Sequence, residues 1–111
     1  MLINQLKEAL YNLSCSPKDQ IEWLKTNSLP VDELVLLFDD TYLPVKSQNI
    51  LNYSLLKNLE ELDITLGKMS GQQNKNIWSE ESLYSNSMWG EIRILSQQAL
   101  QDHSWPSESS L

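Results

Sequence analysis

The sequence predicts an all-α protein, a compact bundle of about five to six helices around a central helix near residues 47–70. In that stretch apolar residues recur at intervals of four or three, which places them on one stripe of an α-helix. The chain has only three glycines and four prolines in 111 residues, so few positions interrupt a helix. The apolar stripe consists of Leu51, Leu55, Leu59, Leu62, Leu66 and Met69.

Three helices are predicted before the central one. The first, over residues 2–13, follows from leucines at helical spacing. The second, over residues 17–26, begins where Ser16 can cap the first turn and Pro17 suits the first helical position. The third, over about residues 30–41, contains the continuous apolar run 34–38. A five-residue strand would also fit that run, but the capping signals before it favour a helix.

The central helix is expected to be capped by Ser47, after Pro44 has ended the third helix, and to end at Gly71 in a left-handed conformation. A coiled coil would give the same spacing, but heptads are not sustained elsewhere, so a bundle is favoured. Ser79 and the two glutamates after it predict a short helix reaching about residue 84. Apolar spacing from Met88 predicts a last helix over residues 87–102.

One domain is expected to occupy residues 1–103, followed by a flexible polar tail over residues 104–111. Within that tail Trp105 is the side chain expected to pack, if any of it packs. The first residues lack the basic leader and apolar core of a signal peptide, and the longest apolar run is far shorter than the roughly 20 residues that span a bilayer. A cytoplasmic protein that does not enter a membrane is therefore expected.

Negative charge is concentrated in the middle of the chain. The net charge is −7, and residues 31–66 contain seven carboxylates against only Lys46 and Lys57. Such a surface repels nucleic acid and attracts a basic protein partner. A solvated acidic face that serves solubility is the alternative. Asp39 and Asp40 follow the apolar run at the expected end of the third helix, where the helix dipole disfavours carboxylates.

Residues able to support catalysis or to bind a metal or cofactor are sparse. His103 lies near the expected tail, and Cys15 lies in a turn with only Lys18 as a cationic neighbour. Each pair of adjacent carboxylates is a poor acid–base dyad, because neighbouring residues on a helix point about 100° apart. We therefore expect no catalytic, cofactor or metal site and no enzymatic activity. The roles of Cys15 and His103 stay open.

Several short motifs are spread over most of residues 2–100. They are Phe38-Asp39-Asp40, Leu62-Asp63 through Leu66 to Met69-Ser70-Gly71, Trp78 with Leu83, and Trp89-Gly90-Glu91-Ile92-Arg93. This combination resembles small acidic helical bacterial immunity proteins of contact-dependent growth inhibition and other polymorphic toxin systems. The resemblance implies a cytoplasmic protein that binds its cognate toxin domain tightly and blocks the toxin's active site or substrate groove.

The charged part of a partner-binding surface is predicted to lie on the third and central helices. The partner expected is a basic toxin domain, a nuclease acting on RNA, bound one to one by a monomer of this chain through carboxylates that replace phosphates. A helical adaptor or regulatory subunit for another basic protein is the alternative. The predicted residues are Asp39, Asp40, Glu60, Glu61 and Asp63, with Tyr42, Tyr53 or a flank of the third helix as the apolar anchor.

Overall fold

The computed structural model describes residues 2–69 and 76–106, and it confirms the predicted helical class. The described residues form six α-helices, and no strand occurs among them. The helices are α1 (Leu2–Ser14), α2 (Pro17–Thr26), α3 (Glu33–Ser47), α4 (Tyr53–Lys68), α5 (Glu80–Ser85) and α6 (Ser87–Gln101).

Side-chain caps define the start of four helices. Ser16 caps α2 and Ser79 caps α5, as the sequence predicts, each by accepting a hydrogen bond from the N–H three residues later at 3.2 Å. Asparagine does the same for α4 and α6. The side-chain oxygens of Asn52 and Asn86 accept from the N–H two residues later, at 3.0 and 2.9 Å. These bonds satisfy N–H groups that have no partner within the helix.

Helix α3 runs through Pro44 to Ser47, so the prediction that this proline ends the helix is wrong. A proline inside a helix removes one backbone hydrogen bond and costs about 3 kcal/mol. The turns around it bury Tyr42 and Val45 completely, and burial of each such side chain contributes roughly 1.5–3 kcal/mol. Pro44 itself is exposed. Core packing on the opposite side of the helix therefore offsets the proline.

The start of α4 is also corrected. Ser47 is the last residue of α3 and does not cap the next helix. The chain turns at Asn49, whose φ of 56° lies in the left-handed region, and α4 begins at Tyr53 after the Asn52 cap. Asparagine tolerates this conformation better than most residues, which suits it to the end of a helix. The predicted stop at Gly71 lies outside the described residues.

Helix α1 packs between α3 and α6, and α6 packs on α4 as well, while α3 and α4 also touch each other. The short α5 rests on α2 and α6. The four long helices therefore enclose one apolar core. The side chains that α1 contributes to it are Ile3, Leu6, Ala9, Leu10 and Leu13.

One arginine joins three separate parts of the chain. Arg93 on α6 donates from Nε to the carbonyl of Cys15 at 3.1 Å, and from Nη2 to Gln20 Oε1 at 2.8 Å and to the carbonyl of Leu83 at 2.6 Å. Gln20 is only 1% exposed, and its amide donates to two carbonyls in the last turn of α1. The junction of α1 and α2 is thereby fixed to α5 and α6.

The first residues of the expected tail are held by Trp105. Its indole Nε1 donates to the carbonyl of Ala99 at 2.8 Å, and the ammonium of Lys7 lies 5.2 Å from the ring centroid. The ring also packs against the core as a partly buried side chain. Residues 107–111 of the predicted tail lie outside the described part of the chain.

Candidate functional site

The structure brings the predicted carboxylates together on two neighbouring helices. Asp39 and Asp40 lie on α3, and Glu60, Glu61 and Asp63 lie on α4. The Nζ of Lys46 near the end of α3 lies 3.3 Å from Glu60 Oε1 on α4, and the negative charge of Asp63 on α4 acts on Asp39 on α3. The two helices therefore lie next to each other, with carboxylates on both. We call these five carboxylates the acidic face.

Asp39 and Asp40 do not lie at the end of a helix, contrary to the sequence-based expectation. Because α3 continues to Ser47, both lie in its interior, and the dipole argument does not apply. Their position is explained by neither capping nor ion pairing. Among the described residues no ion pair includes Asp39, Asp40 or Asp63, whereas Glu60 is paired.

Like charges and burial act together on Asp39. This side chain is half-buried, and desolvation raises the pKa of its carboxyl, with further increases from the negative charges of Asp63 and Asp40. Desolvation disfavours the charged form, and so do nearby anions. The acidic face therefore carries repulsion that a cation at this position would relieve.

Tyr42 is not available as the apolar anchor, which corrects that prediction. It is 0% exposed and stacks on Phe38 with ring centroids 5.0 Å apart. Its hydroxyl is buried and has no hydrogen-bond partner among the described residues. Burial raises the pKa of Tyr42 to about 12, with contributions from Glu60 and Asp63. The negative charges of these two carboxylates therefore act on the buried hydroxyl of Tyr42.

Tyr53 is exposed, as an anchor must be, but it lies away from the unpaired carboxylates. It is 78% exposed at the first position of α4. With a rise of about 1.5 Å per residue, it lies roughly 15 Å along the helix axis from Asp63. The structure places Tyr53 at the edge of the acidic face and does not bring it to Asp39.

Exposed apolar side chains on the same helices were not predicted individually. Leu43 on α3 is 59% exposed and Ile64 on α4 is 61% exposed, and Leu36 on α3 is also exposed. Leu36 belongs to the apolar run 34–38 that the sequence shows. Leu43 lies beyond the predicted end of the third helix at residue 41, and Ile64 lies off the leucine stripe of α4. These residues add apolar surface to the two helices that carry the acidic face.

The structure also describes Cys15 and His103, whose roles the sequence leaves open. Cys15 is half-buried, and desolvation raises the pKa of its thiol, with Asp19 adding to this and a hydrogen bond with Tyr11 opposing it. The thiol is therefore a weaker nucleophile than a free cysteine at neutral pH. His103 is exposed just beyond α6. The described residues contain no group of three or more His, Cys, Asp or Glu side chains placed to hold a metal ion.

A groove lies between α1, α2 and α3. Its volume is about 440 Å³, and Tyr11, Trp23, Leu37 and Thr41 are among the side chains that line it. An adjoining pocket of about 150 Å³ shares Tyr11 and Trp23 and reaches Cys15. The groove is a concave surface, and two aromatic side chains, Tyr11 and Trp23, form part of its wall.

Comparisons with protein-family models, with curated proteins and with solved structures found no match for this chain. Among the described helices, none is long and apolar enough to cross a membrane.

Proposed function

We propose that this chain is an immunity protein that binds a cognate toxin domain and neutralises it. The toxin is a basic nuclease acting on RNA, and the acidic face occludes its active site or substrate groove. The binding is one to one, by a monomer of this chain, in the cytoplasm, where the substrate of such a toxin lies. No catalytic step by this chain is required.

The observation that carries this proposal is the unneutralised charge on α3 and α4. Four of the five carboxylates of the acidic face, all except Glu60, have no ion-pair partner within the described structure, and Asp39 is also partly desolvated. These unpaired carboxylates do not stabilise the fold, because repulsion between like charges and desolvation both disfavour them. A surface that attracts the cations of a nuclease and pairs with them does need such carboxylates.

The apolar residues beside the acidic face support the same interpretation. A stable interface combines charged groups that steer association with an apolar centre that excludes water. Leu43 and Ile64 are well exposed on the helices that carry the carboxylates. We propose that these two side chains replace Tyr42 as the apolar anchors of the surface.

The first test is protection of a bacterial host. The C-terminal region encoded by the gene immediately upstream is expressed with and without this chain, and growth and RNA integrity are followed. Growth arrest with RNA degradation, relieved by this chain, is the expected result. Absence of toxicity, or toxicity that this chain does not relieve, would contradict the proposal.

A charge-reversal pair then tests the assigned surface. Asp39→Lys combined with Asp40→Lys should slow association with the toxin domain by about 10- to 100-fold at low salt, because the attractive field becomes locally repulsive. The matched control is Glu22→Lys with Glu91→Lys, which changes the net charge equally at exposed positions on α2 and α6. Equal association rates for the two variants would show that the surface is wrongly assigned.

The alternative function, a helical adaptor or regulatory subunit, is favoured by the groove lined by Tyr11, Trp23 and Leu37. An adaptor would bind a partner segment there. Tyr11 is 63% exposed, so Tyr11→Ala should leave the fold intact. Loss of partner binding in Tyr11→Ala, together with full binding by the charge-reversal variant, would support the adaptor and contradict the immunity proposal.

A further inference from the structure

The groove between α1, α2 and α3 combines apolar, aromatic and acidic side chains. Tyr11, Trp23 and Leu37 line it together with Glu8, and Asp19 lines the adjoining pocket. In the described part of the chain, no lysine, arginine or histidine is among the lining residues of either cavity. The groove therefore offers aromatic faces and negative charge with no cation of its own.

The polar side chains of the lining are not engaged elsewhere in the protein. Glu8 and Asp19 form no ion pair within the described structure. The side-chain amides of Gln5 and Asn12, which also line the groove, make no hydrogen bond to another described residue. A ligand that pairs with these groups replaces water and breaks no bond that holds the fold.

The indole of Trp23 differs in the same way from two other indoles of the chain. The Nε1 of Trp89 donates to the carbonyl of Ile77, and that of Trp105 donates to the carbonyl of Ala99, both at 2.8 Å. The Nε1 of Trp23 donates to no described residue. Its ring is only partly buried. Trp23 therefore keeps both ring surface and a hydrogen-bond donor for a ligand.

We propose that the groove binds a segment of a partner protein in which an arginine lies next to an apolar side chain. The guanidinium stacks on the aromatic wall at Trp23 and pairs with Glu8. The apolar side chain packs against Leu37, and the amides of Gln5 and Asn12 pair with peptide groups of the segment. The inference goes beyond the proposed function, since no carboxylate of the acidic face lines the groove.

A protein segment fits this groove better than a free small molecule does. The volume of about 440 Å³ is within the range of about 300–1,000 Å³ for ligand clefts, but such clefts enclose most of their ligand. Here Tyr11 is 63% exposed, and Gln5 and Glu8 are exposed too. A segment needs to bury only one or two side chains, because the rest of its protein covers the open side. Glu8 and Asp19 repel an acidic segment and favour a basic one.

The test uses a short peptide in which arginine alternates with leucine, titrated into the full chain at low ionic strength and followed by NMR. The indole N–H resonance of Trp23 should shift, whereas those of Trp89 and Trp105 should stay in place, because they donate to carbonyls of the chain. A peptide with glutamine in place of arginine should bind at least about tenfold more weakly. Equal binding of the glutamine peptide, or shifts on α4 without one at Trp23, would overturn the proposal. Equally tight binding of free arginine amide would overturn the protein segment in favour of a small molecule.

Two substitutions in the groove have matched controls outside it. Tyr11→Ala and Glu8→Gln should each weaken binding of the arginine peptide about 3- to 10-fold. Tyr84 is 63% exposed, as Tyr11 is, and Glu91 is exposed on α6, so Tyr84→Ala and Glu91→Gln remove the same groups elsewhere. These controls should change the affinity less than about twofold. Thermal melting confirms that all four variants are folded. If each variant weakened binding only as much as its control, the groove would not be the binding site.

Discussion

Replacement of Arg93 by methionine should destabilise the chain strongly while leaving the acidic face unaltered. The guanidinium donates three hydrogen bonds, to the carbonyls of Cys15 and Leu83 and to the side chain of Gln20. Desolvation lowers the pKa of Arg93, so its site is partly dry, and no carboxylate forms an ion pair with it among the described residues. Methionine preserves most of the packing volume and removes every one of these bonds.

The magnitude follows from those bonds. Each intramolecular hydrogen bond contributes about 1 kcal/mol net, and bonds from charged donors contribute somewhat more. The partly buried position reduces the upper end of that range, so three bonds amount to about 3 kcal/mol. Gln20, being 1% exposed, would keep an oxygen without a partner, which adds to the loss. For a chain of this size, about 3 kcal/mol corresponds to a fall in Tm of roughly 10–15 °C.

Urea unfolding and thermal melting of four proteins measure this effect: wild type, Arg93→Met, Gln20→Met and the double variant. Arg93 and Gln20 should show a coupling energy of about 1–2 kcal/mol, since each loses part of its role when the other is absent. Gln98→Ala, an exposed substitution on the same helix, is the control and should change stability by less than about 0.5 kcal/mol. If Arg93→Met also lay within that range, the three bonds would not hold these helices together.

Two further substitutions should change the free energy of unfolding in the direction opposite to that of most mutations. The folded chain raises the pKa of Asp39 above its usual 3.8, so folded protein binds this proton more tightly than unfolded protein. The free energy of unfolding should therefore fall as the pH rises from the usual pKa of Asp39 through its raised pKa in the folded protein. Urea unfolding at a series of pH values from acidic to neutral measures this dependence, and Asp39→Asn should remove the part that Asp39 contributes. Ser96→Ala removes a buried hydroxyl that has no hydrogen-bond partner in the described part of the chain, and it should stabilise the protein by about 1 kcal/mol in urea unfolding. A destabilised Ser96→Ala would mean that the hydroxyl has a partner in solution.

The helix boundaries that the sequence predicts well are those with a local chemical cause. Ser16 with Pro17 marks the start of α2, and Ser79 marks the start of α5, because the capping bond is made within three residues. The passage of α3 through Pro44 has no such local cause. The helix passes Pro44 because Val45 and its neighbours are buried against other helices, and burial of that kind depends on the whole fold.

The features of the candidate site also separate into those that the sequence predicts and those that depend on the whole fold. The carboxylates could be predicted to share a surface because charge density is visible in the sequence. The burial of Tyr42 could not, since it depends on α3 continuing past the expected break. In the sequence, Arg93 is singled out only as part of a short motif. Its hydrogen bond to the carbonyl of Cys15, 78 positions away, is visible only in the folded structure.

The contact between Arg93 and the junction of α1 and α2 also bears on how the protein is made. Among the six helices α1 is synthesised first and α6 last, yet the two pack against each other. Helix α4 likewise packs against α6. Neither α1 nor α4 can therefore complete its packing until α6 has been synthesised, and until then part of the leucine side of each helix stays exposed.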